Sequence, residues 1–332
     1  MKRYYCHCGN EIFFDNTFCN GCGSALGFIP EQQALAILEK QGAYRPCQHR
    51  YGLDCNWLIG HEDPNPQCRA CRLTRTIPNL SINNNLQRWV KLEATKRLAF
   101  YMLLRLQLPI PDRPVGGGQA KLLFDFLEDR RSNRFSNLEL VYTGHACGVI
   151  TLNAAEADDS YRSAAQQKMK EAYRTLLGHF RHELGHFYWM QLQDNADAVA
   201  AFRQLFGDER RDYQAALKYF YRHGARGDWQ NNFISAYASA HPLEDWAECW
   251  AHFLHISETL ETAAAFGLIA PEQRGDNFMG RLSTWMRFSV VLNALNRSMG
   301  VGDPYPFVIN NSVERKLHFI ADWVKAANRP YR

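Results

Sequence analysis

The chain has little excess of charge of either sign. Its 332 residues carry 38 basic and 34 acidic side chains, a formal net charge of +4, so nothing in it demands a polyanionic partner. Long apolar runs are missing as well. No stretch approaches the roughly 18 uncharged apolar residues that span a bilayer, and the opening MKRYYCHCGN has no apolar segment of the kind that directs export. These absences lead us to expect a cytoplasmic protein without membrane contact. There is no internal repeat and no low-complexity tract. What is present is a globular composition, 46% apolar, in a chain long enough for about two domains.

Cysteine is nearly absent from most of the chain. Residues 83–332 contain only Cys147 and Cys249, whereas the other eight of the ten cysteines fall within the first 71 residues. In a reducing compartment such clustering argues for metal rather than disulfides. Cys6-x-Cys8 and Cys19-x-x-Cys22 match the paired knuckles of a four-cysteine zinc ribbon. Cys47, Cys55, Cys68 and Cys71 are a less regular second set, in which His49 or His61 could replace a cysteine. We expect one structural zinc at each. Arg69, Arg72 and Arg75 lie beside the second set and suggest nucleic acid weakly, because no stacking aromatics accompany them. Contact with protein or nucleic acid through the ribbon is open, with protein docking or a purely structural role preferred. The change in composition divides the chain into a zinc-ribbon region, 1–76, and a second domain, 83–332.

In that second domain, Leu86, Trp89, Val90, Leu92 and Leu98 give helical spacing from Asn83 to Leu108, where Pro109 and Pro111 stop it. Strand-like segments follow at Leu122–Leu127, Leu138–Tyr142 and Gly148–Asn153, which together predict a small sheet. Gly148–Asn153 could equally be an edge strand that pairs with substrate backbone or an ordinary sheet strand. From Ser160 to Gln193 there is no proline, and Met169, Tyr173, Leu176, Leu177, Phe180 and Leu184 predict one long helix. Further helices are predicted at about 195–206, 210–223, 242–264, 281–299 and 311–327.

The long helix carries His182-Glu183-Leu184-Gly185-His186, an HExxH motif. Histidines four apart lie about 40° round a helix and about 6 Å along it, so both rings can reach one ion. Glu183 sits beside that face, where it can touch a water rather than the metal. A third ligand is sought in HPLEDWAECWAH, residues 241–252. Pro242 suits a first helical turn, and Glu244 and Glu248 then share a face. One carboxylate can bind metal while the other accepts the spare ring N–H of a ligand histidine. Glu244 is favoured as ligand and Glu248 as support, with Glu248 or Asp245 the next candidates for ligand. His179, His252 and His255 flank these stripes without an assigned metal role.

HELGH preceded by RTLLGHFR, an SAYA…HPLEDWAE segment downstream and the cysteine-rich start resemble the zinc-binding metallopeptidases with an N-terminal zinc ribbon, over essentially the whole chain. More widely, the pattern is similar to the glutamate-ligand zincins, the gluzincins. The resemblance implies Glu244 as ligand and Glu248 as support for a histidine. It also draws attention to Tyr237, seven residues before Glu244, where lethal-factor-like enzymes place a tyrosine hydroxyl in the site, able to steady an oxyanion or assist the leaving group.

We therefore expect an α+β protein, an N-terminal zinc-ribbon region followed by a mainly helical zincin-like domain with a small sheet. Its expected activity is hydrolysis of peptide or isopeptide bonds in a peptide or protein substrate, by a zinc-activated water with Glu183 as general base. Three zinc ions are expected, one catalytic and two structural. The alternative is a zinc-ribbon binding or regulatory protein whose peptidase-like domain is inactive or structural.

Overall fold

The computed structural model describes residues 1–39, 42–111, 122–131, 133, 136–169, 174–270 and 277–328. The chain forms two compact units, 1–169 with 175–180, and 170–174 with 181–332. The expected α+β class holds.

The first unit begins with short antiparallel ribbons, β1 (Tyr4–Tyr5) with β2 (Glu11–Ile12), β3 (Leu26–Ile29) with β4 (Ala34–Ile37), and β5 (Tyr44–Pro46) with β6 (Leu58–Gly60). Each first-ribbon knuckle closes on a glycine in the left-handed region. Gly9 (φ 85°) donates to Cys6 O, and Gly23 (φ 74°) to Cys19 O, a conformation that costs glycine little. Strand β7 (Thr74–Thr76) then leaves the ribbon region and joins a four-stranded sheet, order β7-β8-β10-β9, with β8 (Leu123–Leu127), β9 (Gly144–Ala146) and β10 (Val149–Asn153). Strands β7, β8 and β10 are parallel, and β9 returns antiparallel through a turn in which Cys147 (φ 48°) and Gly148 (φ 83°) both take positive φ, as a tight hairpin requires.

Helix α1 (Asn85–Arg105) has two apolar faces. Tyr101 packs edge-on against Phe14 of the ribbon at 5.1 Å, and Phe100 packs on Phe124 of the sheet at 5.7 Å. Lys96, fully buried, pairs with Glu93 at 2.9 Å and lies over the rings of Phe124 and Phe126. An isolated buried ammonium would be prohibitive, so the pair keeps this cation in the core.

Two expectations need correction, and the choice left open for Gly148–Asn153 falls to the ordinary sheet strand. The segment Leu138–Tyr142 forms no strand, because its backbone serves the carboxylate of Asp129, which accepts from Val141 N at 2.8 Å. Strand β10 is not an edge, being paired on both sides. The single helix from 160 to 193 is two among the described residues, α2 (Asp159–Met169) and α3 (Leu176–Leu192). Thr175 lies outside α3 and its hydroxyl accepts from Gly178 N at 3.0 Å, an N-cap that starts a new helix. Tyr173 falls outside the described residues.

The second unit is helical: α4 (Ala196–Phe206), α5 (Tyr213–His223), α6 (Pro242–Ala265), α7 (Phe278–Ser298) and α8 (Asn311–Ala327), together with α3 from Arg181 onward. Its core gathers Trp189, Phe202, Phe206, Trp246 and Trp250, with Trp246 and Trp250 wholly buried.

Candidate metal centre

Helices α3 and α6 come together at a glycine. A Cβ on Gly185 would lie 2.9 Å from Ala247 Cα and 3.1 Å from Trp250 Cβ, closer than backbone can yield. Trp246 Nε1 donates to Gly185 O at 2.8 Å across the same contact. The interior of HExxH thus sets the spacing of the two helices, and with it the reach of the side chains between them.

Across this contact His182, His186 and Glu244 converge, with one ligating atom of each within 4.8 Å of the others. His182 Nε2 lies 3.1 Å from Glu244 Oε2 and 3.2 Å from His186 Nε2, which is 3.6 Å from Glu244 Oε1. Two ring nitrogens and a carboxylate at such distances are a donor set of the kind that holds a zinc ion. Helix α6 begins where the sequence suggests, with Pro242 in its first turn and His241 capping it by accepting from Leu243 N at 3.1 Å. That start puts Glu244 in the first turn, wholly buried. Burial alone would raise the Glu244 carboxyl, but His186 and His182 hold it well below the ordinary range.

Glu248 lies one turn further on. Its Oε1 is 2.8 Å from His182 Nδ1, and its Oε2 accepts from Ser235 Oγ at 2.6 Å. Carboxylates thus face both ring nitrogens of His182; burial alone would lower its imidazole, but Glu244 and Glu248 hold it well above the ordinary value. Glu183 is 5% exposed, and its Oε2 has no hydrogen-bond partner. Burial raises its carboxyl above the ordinary value, against the lowering pull of His182 and His186. Such an orphaned acceptor is costly unless a site uses it. The Tyr237 ring stands 6.0 Å from that of His182, in a short 3-10 turn, Tyr237–Ser239.

Asp245 points elsewhere. It pairs with the buried Lys316 at 2.6 Å and is not part of the cluster. His179 lies 3.4 Å from Glu156 and His252 bonds Tyr305 OH at 2.9 Å, both outside the cluster. Sequence reasoning did not find Tyr213, whose hydroxyl donates to Glu244 Oε1, nor Ser235. Tyr213 is 31 positions from Glu244 and carried no pattern, although Ser235 opens the SAYA segment already singled out.

Both cysteine sets gather as well. Cys6 and Cys22, Cys8 and Cys19, Cys55 and Cys68, and Cys55 and Cys71 have sulfurs 3.7 Å apart. That is the edge of a tetrahedron with sulfur about 2.3 Å from its centre, and far too long for a disulfide. Cys47, Cys55, Cys68 and Cys71 group without His49 or His61. Arg97 is buried beside this set. Burial disfavours its charge, but Cys55, Cys71 and Glu93 together outweigh that. The three arginines near the knuckle are spent internally: Arg69 on Ile110 O, Arg72 on Asp63 and Arg75 on Asp125.

Two histidines and a glutamate presented by two helices, in a chain with two four-cysteine clusters, are the donor sets of a zinc-binding protein. Residues 85–323 match the family described as "Putative zinc-binding metallo-peptidase", to which the chain belongs, and residues 3–82 match a zinc-ribbon domain. Uncharacterised proteins of Mycobacterium tuberculosis (strain H37Rv) and Mycobacterium bovis are each 39% identical over 329 residues, covering 96% of this chain and 94% of their own. No solved structure matches at significant similarity. Among the described residues no helix is long and apolar enough to cross a membrane.

Proposed function

We propose that the protein hydrolyses peptide or isopeptide bonds, with a zinc ion held by His182, His186 and Glu244. The observation that carries this reading is the convergence of those three donors beside the buried, unpartnered oxygen of Glu183. Zinc bound there would polarise the scissile carbonyl and make water a better acid. Glu183 does the proton work. Its Oε2 lacks a protein partner, and burial raises its carboxyl, which suits a group that takes a proton from water and returns it to the leaving amine. Glu248 fixes the His182 ring through Nδ1. Tyr237 is kept protonated, because burial and then Glu244 push its phenol well above the ordinary value, and it is the hydrogen-bond donor for the oxyanion. The eight clustered cysteines hold two structural zinc ions in this reading.

The test is metal analysis joined to peptide-library digestion of wild type and Glu183→Gln. Wild type should cleave, and Glu183→Gln should keep its zinc while losing roughly 10²–10⁴-fold in rate, the usual worth of a general base. Loss of zinc in Glu183→Gln would overturn the roles. A zinc-loaded wild type that cleaves nothing would favour a binding or regulatory protein instead.

A further inference from the structure

We infer that Tyr213 is the positioning residue for the proposed zinc-binding carboxylate of Glu244, an assignment that rests on the reading above. Tyr213 is the first residue of α5, and its hydroxyl donates to Glu244 Oε1. The other oxygen, Oε2, lies 3.1 Å from His182 Nε2. The oxygen that takes the phenol, Oε1, also lies 3.6 Å from His186 Nε2, so the Tyr213 bond fixes the rotation at which both carboxylate oxygens face the two imidazoles. A carboxylate oxygen that accepts a hydrogen bond keeps a second lone pair for a metal, so what Tyr213 sets is the orientation of the carboxylate toward the ion rather than the number of oxygens that bind it.

The phenol is itself fixed by neighbours that serve both helices. Asp212 caps α5, accepting from Ala215 N at 2.9 Å. His241, the cap of α6, has its ring edge-on to Tyr213 at 5.1 Å and its Nε2 3.1 Å from Arg211 O. Since His241 Nδ1 accepts from Leu243 N, its Nε2 carries the proton and donates to Arg211 O. One imidazole therefore ties the residue that precedes the α5 cap to the start of α6, where Glu244 stands. Helix α5 buries no residue fully and is flanked by Gly207 (φ 99°) and Gly224 (φ 80°). Its Phe220 and Tyr221 pack against the Tyr237 ring, while the Tyr213 hydroxyl has its partner in Glu244.

The experiment compares the full-length chain with Tyr213→Phe and Glu244→Ala, loaded with zinc alone. Transfer of zinc to a chromophoric chelator, X-ray absorption at the zinc edge and thermal unfolding of the metal-free proteins are measured. We expect Tyr213→Phe to release the Glu244-dependent zinc roughly 10–100-fold faster, as loss of a ligand-orienting partner typically does. Its ribbon zinc and metal-free melting temperature should be unchanged. Release within twofold of wild type overturns the proposal, as does a fall in metal-free melting or release of ribbon zinc, since either makes the phenol structural. If no zinc in wild type depends on Glu244, the metallopeptidase reading fails first and this assignment with it.

Discussion

Glu244 and Glu248, four positions apart on α6, are the pair on which the residue chemistry turns. Glu244 faces both Nε2 atoms, whereas Glu248 meets His182 only at Nδ1. Glu244→Ala should therefore empty the site under mild chelation, while Glu248→Ala should weaken zinc or activity roughly 10–100-fold and still allow occupancy. Zinc coordination measured on both variants checks this, and the reverse order would exchange their roles. Gly185 makes a second test. An added methyl would press on the Ala247 backbone, so Gly185→Ala should cost about 1–3 kcal/mol of stability and loosen zinc without touching a ligand. Unchanged melting and affinity would mean that the crossing has slack. Of these residues the HExxH pair and the two glutamates were legible, because helical spacing alone brings them onto faces. Tyr213 and Gly185 were not, because only the meeting of two helices gives them a role.

Among elements, helices were far easier to read than strands. The expected spans at 195–206, 210–223 and 242–264 fall within a few residues of α4, α5 and α6, since apolar periodicity and Gly or Pro breaks act locally. Strand β7 has only three residues, β9 likewise, and each exists through pairing with distant chain, which leaves no local signature. The break before α3 contains no proline, and Thr175, whose hydroxyl accepts from Gly178 N, is the capping residue type that marks it. Helix α6 also buries His252 beside Tyr305 and Phe307. Burial lowers its imidazole to about 4, below the roughly 6.5 of an unfolded chain. As pH falls from about 6.5 towards 4, the unfolded chain takes the proton and the fold does not, so stability present above that window is lost within it. The loss should be about 3 kcal/mol. Denaturant midpoints of wild type and His252→Gln at neutral and acid pH measure it, and the gap between them should shrink with acid. A constant gap would show that His252 is not excluded from protonation.

At the scale of the whole molecule, the ten cysteines divide into four environments, and their reactivity should report how the metal is held. Cys147 is exposed in a hairpin turn and belongs to no cluster, whereas Cys8 and Cys22 are exposed members of the first cluster. Cys47, Cys55, Cys68 and Cys71 are all at most 2% exposed, with Arg97 beside them on α1, whose other face lies on the sheet. Reaching these thiols means lifting the ribbon from α1, and so opening much of the first unit. Cys249 is buried too, and burial pushes its thiol well above the ordinary range, so it is poorly reactive even when reached. Alkylation of the zinc-loaded chain, followed by peptide mapping and metal analysis, should label Cys147 first with no zinc released. Cys8 and Cys22 should follow with loss of one zinc. The second cluster should react last, together with cooperative loss of the first unit's structure. Early labelling of Cys47 or Cys55 with the first unit still folded would mean that this cluster holds no metal and that α1 does not depend on it.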